Sequence, residues 1–148
     1  ETSGKGKVDM EYATSTARTI FQPVPADVER IGKLVLNAAY KVHTTLGPGL
    51  LEAVYQTAMK HVLEKSSITV KTDVKLPILF EGAKLDSGLQ LDMLVEKCVI
   101  VELKSVERMS LLYEKQVTTY LRLSHLRLGF LINFNVPYLK DGIKRVVV

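Results

Sequence analysis

Asp92-Met93-Leu94-Val95-Glu96-Lys97-Cys98-Val99-Ile100-Val101-Glu102-Leu103-Lys104 is the stretch that decides how this chain folds. Leu89, Leu91, Met93 and Val95 recur at every second position, the period of a strand, and a charged Glu96-Lys97 pair follows. Cys98 to Leu103 is apolar except for Glu102, the composition of a strand covered on both faces. Side chains two apart on a strand point the same way, so Glu102 and Lys104 share a face. A tight turn at Glu96-Lys97 would pair the two strands and bring Asp92 up beside them. Two carboxylates and an ammonium then converge at one end of a hydrophobic hairpin, the layout that a divalent metal and an activated water require.

Outward from this hairpin, Val74, Leu76, Ile78 and Phe80 form a preceding alternating run that turns at Glu81-Gly82. Upstream, Val28, Ile31, Val35, Ala38, Ala39 and Val42 recur at helical spacing over Asp27 to Leu46, and Gly47-Pro48-Gly49 ends that helix. A second helix is expected from Leu50 to Lys65, with Leu51, Val54, Tyr55, Ala58, Met59, Val62 and Leu63 as its buried stripe. Downstream, a helix is expected from Ser110 to Leu123. Strands at Leu128 to Phe134 and Ile143 to Val148 flank a turn at Asp141-Gly142. The order α-α-β-β-β-α-β-β implies an α/β (α+β) domain, a central mixed sheet with helices packed on it.

The chain has 148 residues, enough for one domain with a proper core, here placed at 25–148. Residues 1–24 are polar and lack periodicity, which suggests a flexible arm. The opening Glu in place of Met makes an added expression leader one expectation for part of it. No apolar run approaches the roughly 18 residues of a membrane span, and no signal peptide is visible. The lone Cys98 rules out an internal disulfide framework and is expected to be a small buried hydrophobe. It fits a reducing, cytoplasmic compartment. His43, His61 and His125 lack zinc spacing. A net charge of +4 is compatible with nucleic acid, but Lys and Arg are spread along the chain, so charge alone selects no partner.

Two helical residues add to the strand acids. Glu52 falls on the flank of the second helix's apolar stripe, where an unpaired carboxylate needs a cation, a hydrogen-bond network or water. A first-turn acid favoured by the helix dipole is the plainer account. Gln116 is expected on the inward face of the third helix with Leu112, Thr119, Tyr120 and Leu123, and a core amide satisfying backbone groups is its plainer account. For Asp92, Glu102 and Lys104 the plainer account is a solvent-facing position and a frayed strand end. Against that, Glu102 interrupts an apolar run, and charged residues are almost never buried without partners. One polar site explains all five residues together.

These residues carry a resemblance. Asp92 followed by Glu102-Leu103-Lys104 resembles the PD-(D/E)XK nuclease signature. Gly49-Leu-Leu-Glu52-Ala-Val-Tyr55 matches the motif that names the GxxExxY protein family, placed in that superfamily. Val42-His43 before Leu46-Gly47-Pro48-Gly49, Leu131-Ile-Asn-Phe-Asn135 and Asp141-Gly-Ile-Lys-Arg145 extend the likeness over residues 27 to 148. The resemblance implies a restriction-endonuclease-like core and a metal-dependent nuclease acting on DNA, or on RNA. It implies Asp92 and Glu102 as ligands of Mg²⁺ or Mn²⁺, with the Leu103 carbonyl as a further ligand. Lys104 would assist the attacking water, and Glu52 would be a metal or neighbouring ligand. Gln116 and Tyr120 resemble the QxxxY element of RecB-like and lambda-type exonucleases, where the helix touches the metal site and the nucleic acid. Leu91 precedes Asp92 where the superfamily's name has proline, and Tyr113 stands where relatives often carry histidine. The hard oxygen donors suit Mg²⁺ or Mn²⁺ better than zinc. A catalytically silent nucleic-acid-binding or regulatory module is the alternative, and a metal-dependent hydrolase of another substrate is a third reading. A homodimer or a protein partner is compatible with a domain this small, and no membrane is expected.

Overall fold

The computed structural model describes residues 22–148. The arm expected at 1–24 lies outside them, save for its last three residues. Helix α1, Ala26–Leu46, buries Ile31, Val35, Ala38, Ala39 and Val42, a stripe at helical spacing. It stops where Gly47 takes φ +73° and its N–H bonds the His43 carbonyl at 2.8 Å. Helix α2, Glu52–Lys65, follows across a short loop. Strands β1, Val70–Phe80, β2, Ala83–Val95, and β3, Val99–Lys104, come next. Helix α3, Leu111–Ser124, is capped by Ser110, whose hydroxyl accepts the Leu112 N–H at 3.1 Å. Strand β4, Leu128–Asn133, a 3₁₀ turn at Leu139–Gly142 and strand β5, Ile143–Val147, complete the described chain. The element order is the one expected.

The five strands form one sheet in chain order. All neighbours are antiparallel except β3 and β4, which run parallel and are joined through α3. Glu96 and Lys97 close the β2–β3 hairpin with φ of +50° and +56°, and the Cys98 N–H reaches the Val95 carbonyl at 3.0 Å. Positive φ at both central residues matches the twist of the flanking strands. Helices α1 and α2 cover one face of the sheet, over Val99, Val101, Leu103, Leu128, Phe130 and Ile132. Helix α3 covers the other through Val117 and Leu121, against Leu91, Ile100 and Leu131. Every residue of β4 is buried, the state of a central strand sandwiched between helices. Among the described residues, no helix is long and apolar enough to cross a membrane.

Three details depart from expectation. Helix α2 begins at Glu52, so Leu51 precedes it and is 78% exposed, and Val54 also faces out. Only Tyr55, Met59 and Leu63 are fully buried there, with Ala58 and Val62 packed beside them. On α3 the inward residues are Val117 and Leu121, flanked by Tyr113 and Tyr120, whereas Leu112 and Gln116 are exposed. On α3 a shift of one residue, about 100° around the helix, separates the expected stripe from the one that meets the sheet. Cys98 is partly rather than fully buried; burial first, then the charges of Asp27 and Glu96, push its thiol pKa up.

Tyr55 fixes the loop between α1 and α2. Its hydroxyl donates to the Gly47 carbonyl at 2.7 Å and accepts the Leu50 N–H at 3.1 Å. Its ring stacks on Phe134, with centroids 4.4 Å apart and planes 6° from parallel. One buried side chain therefore ties the start of α2 to the end of β4. Tyr55→Phe keeps the stacking but orphans both backbone groups. It should lower unfolding free energy by about 1–2 kcal/mol in urea titration, and an unchanged midpoint would show that water replaces the hydroxyl at no cost.

Candidate active site

Strand β2 loses its regular alternation at Asp92. Met93 and Val95 pack toward α1 and α2 and Leu94 toward α3, as a pleated strand requires, yet Leu91 and Leu89 pack toward α3 as well. The neighbouring strand switches faces at the same level, with Val70 on one side of the sheet and Val74 and Leu76 on the other. Between the pairs Thr72–Met93 and Val74–Leu91 the ladder skips a rung, and Asp73 there takes φ +52°. Aspartate tolerates this left-handed conformation better than most residues. The Asp92 carbonyl accepts instead from Gln56 Nε2 of α2 at 2.9 Å, and the same amide nitrogen reaches Asp73 Oδ1 at 3.3 Å.

On its other side Asp92 stands opposite Glu102, one step beyond the backbone pair Met93–Val101. Each carboxylate accepts a main-chain N–H from the opposing strand. The Asp92 N–H donates to Glu102 Oε1 at 3.1 Å, and the Leu103 N–H donates to Asp92 Oδ2 at 2.9 Å. Glu102 is 4% exposed. Burial first, then the charge of Asp92, push its carboxyl up to about 8; the N–H bond from Asp92 and the charge of Lys104 pull the other way. Two adjacent acids in low dielectric cannot both ionise cheaply. The pair holds a proton or calls for a cation.

Lys104 leaves β3 on the same face as Glu102, toward α3, with Nζ 4.3 Å from the centre of the Tyr113 ring. It lines an open groove of about 510 Å³ together with Leu112, Tyr113, Lys115, Gln116 and Thr119. Gln116 is therefore a groove residue rather than a core amide. Its Nε2 donates to the Tyr120 hydroxyl at 3.0 Å. Burial raises the Tyr120 phenol pKa, and the charges of Glu102 and Asp92 raise it further, which places this ring beside the acid pair.

Glu52 stands apart from that pair. It is exposed at the first residue of α2, one turn before Gln56 on the same helix face. Among the described residues, no three His, Cys, Asp or Glu side chains gather as a ligand set. The donors brought together are the two carboxylates, with the Leu103 carbonyl adjacent in the chain. This set suits Mg²⁺, which takes one or two carboxylates and fills its shell with water and substrate phosphate.

Gln56 and Asn133 escaped the sequence reading. Buried Asn133 accepts the Val106 N–H at 3.1 Å and donates to the Val106 carbonyl at 2.9 Å, clamping the chain just after Lys104. Ser105 donates to the Leu50 carbonyl at 2.6 Å and holds that segment to the start of α2. An amide inside the apolar run Leu128–Phe134 was the available signal for Asn133. Gln56 had none, since its partners lie far away in sequence.

A mixed sheet between helices, with an acid pair and a lysine where its antiparallel and parallel halves meet, defines the restriction-endonuclease-like class. The family model of the PD-(D/E)XK nuclease superfamily matches residues 29–146, and the chain belongs to that superfamily. Comparison with curated proteins and with solved structures brings up no match.

The raised Glu102 pKa sets a pH dependence. The folded carboxyl binds its proton more tightly than the ordinary value of 4.5 allows, so its stabilising contribution is complete below that pH and is lost as pH rises through about 8. In chelator, the melting temperature of the wild type should fall between about pH 5 and pH 9, and Glu102→Gln should flatten that fall. Parallel curves would mean that Glu102 titrates normally.

Proposed function

We propose that this chain is a GxxExxY-type nuclease that hydrolyses phosphodiester bonds of DNA, or of RNA, with Mg²⁺ or Mn²⁺. The observation that carries the reading is the reciprocal pairing of Asp92 and Glu102 across β2 and β3, with Lys104 emerging next to Glu102 on the same face. In this reading Asp92, Glu102 and the Leu103 carbonyl hold the ion. When bound, it supplies Lewis-acid polarisation of the phosphate and lowers the pKa of a water. Lys104 orients the attacking water or takes its proton, and offsets charge on the phosphate. Its place over Tyr113 restricts where the ammonium travels.

Glu52, apart from the pair, acts from the start of α2 through water. The GxxExxY motif then has a division of labour. Gly49 adopts φ +94° in the loop, Tyr55 locks that loop, and Glu52 is left exposed for chemistry. Gln116 lines the groove beside Lys104 with Tyr120 hydrogen-bonded behind it, and the two contact the nucleic acid or the site's outer edge. The lack of a third gathered acid among the described residues favours one second reading, a silent nucleic-acid-binding module.

Labelled single- and double-stranded DNA and RNA, incubated with Mg²⁺ or Mn²⁺, separate the two. Wild type should cut at least one substrate, and chelator should stop it. Lys104→Ala should lose about 10²–10⁴-fold in rate, and Asp92→Ala and Glu102→Ala at least as much, whereas Gln116→Ala should act mainly on KM. Binding without cutting under every condition would support the silent module.

A further inference from the structure

A second groove opens near the carboxyl ends of β3 and β4, on the α1 side of the sheet, between the end of α1 and the segment after β4. It has a volume of about 590 Å³ and is lined by Tyr40, His43, Thr44, Pro48, Tyr138 and Lys140, among others. Tyr138 is 69% exposed and Tyr40 44%, and no carboxylate lines the groove. His43 forms part of the wall, its Nε2 bonded to the Val136 carbonyl at 2.8 Å.

Both walls are tied to the two residues that follow Lys104. The Gly47–Pro48 wall continues into Leu50, whose carbonyl accepts from Ser105, the residue after Lys104. The opposite wall descends from β4, where the Asn133 side chain grips both main-chain groups of Val106. Residues 105 and 106 thus join the groove's two sides to the end of β3. This is also the carboxyl end of the parallel pair β3–β4, the usual side for ligands in such sheets.

We propose that this groove receives the unpaired bases of a single-stranded nucleic acid, stacked on Tyr138 and Tyr40, while the backbone passes toward Lys104. The inference rests on the nuclease reading and narrows it to a single strand or a frayed end. Stacking on exposed aromatic rings beside a cation is how single strands are held without reading sequence, because every base offers a π face. Lys140 supplies the cation. A cleft of this size suits a small concave-bound group such as a splayed nucleotide. A protein partner would also use exposed tyrosines, but both walls are anchored to residues 105 and 106, directly after Lys104.

The test measures binding of fluorescein-labelled oligothymidine, oligouridine and a blunt duplex of equal length, by anisotropy, in the Lys104→Ala background with chelator so that nothing is cut. Tyr40→Ala, Tyr138→Ala, Tyr138→Phe and Lys140→Ala are compared, with melting curves to verify folding. Single strands should bind tighter than the duplex. Each Tyr→Ala should weaken them about tenfold, and Tyr138→Phe should bind like its parent. The relative affinity of the thymidine and uridine strands distinguishes DNA from RNA. Unchanged affinity in both alanine variants, or a preference for duplex, overturns the groove's role and leaves the nuclease reading intact if the Lys104-competent protein cuts. Tyrosine-dependent single-strand binding without cleavage under any metal overturns the nuclease and leaves the groove. Failure to bind any nucleic acid overturns both and points to a protein partner for the tyrosines.

Discussion

Asp92 and Glu102 each cap the main-chain N–H of the other's strand, at the level where β2 stops pairing regularly with β1 and the Asp73 rung is missing. A strand in a regular ladder spends its N–H and C=O groups on its neighbours, and its side chains stand off the sheet. Here one rung with β1 is given up, and the freed Asp92 carbonyl is taken by Gln56. The Asp92 side chain then reaches the Leu103 N–H, almost within the sheet, and faces the Glu102 carboxyl. The break in the sheet and the acid pair form one feature.

The surrounding architecture holds that feature in place. Helix α2 contributes Gln56 from its second turn and is itself positioned by Tyr55, locked between the Gly47–Leu50 loop and Phe134. Asn133, at the end of β4, pins Val106 and so fixes where β3 ends. Lys104 emerges between these constraints, restricted from the α3 side by Tyr113. A buried carboxyl with a raised pKa is costly to ionise, and such groups cluster where a cation or a proton transfer is part of the function. The PD-(D/E)XK superfamily to which the chain belongs gives that chemistry its class.

Much of this was legible in the chain because its main elements have clean periods. The hairpin at Glu96-Lys97, the Gly47-Pro48-Gly49 break and the apolar strand from Val99 each announce themselves locally. The phase of the short helices did not. In α2 and α3, apolar residues occur on more than one side, and the sheet selects Tyr55, Met59, Leu63 and Val117, Leu121 by contact. Leu51, Val54 and Leu112 are apolar yet exposed. The Asp73 conformation and the partners of Gln56 and Asn133 depend on residues remote in sequence, which periodicity cannot encode. Among the site residues, the placement of Asp92 opposite Glu102 followed from hairpin geometry, but the missing rung that turns Asp92 inward did not.

The central claim is that Asp92 and Glu102 together form a divalent-ion site. Anomalous diffraction from crystals grown with Mn²⁺ tests it most directly. The account predicts a peak between the two carboxylates, with oxygens at roughly 2.0–2.6 Å and Lys104 alongside. Mn²⁺ bound elsewhere, with the Asp92–Glu102 hydrogen bonds intact and the pair metal-free, would contradict it.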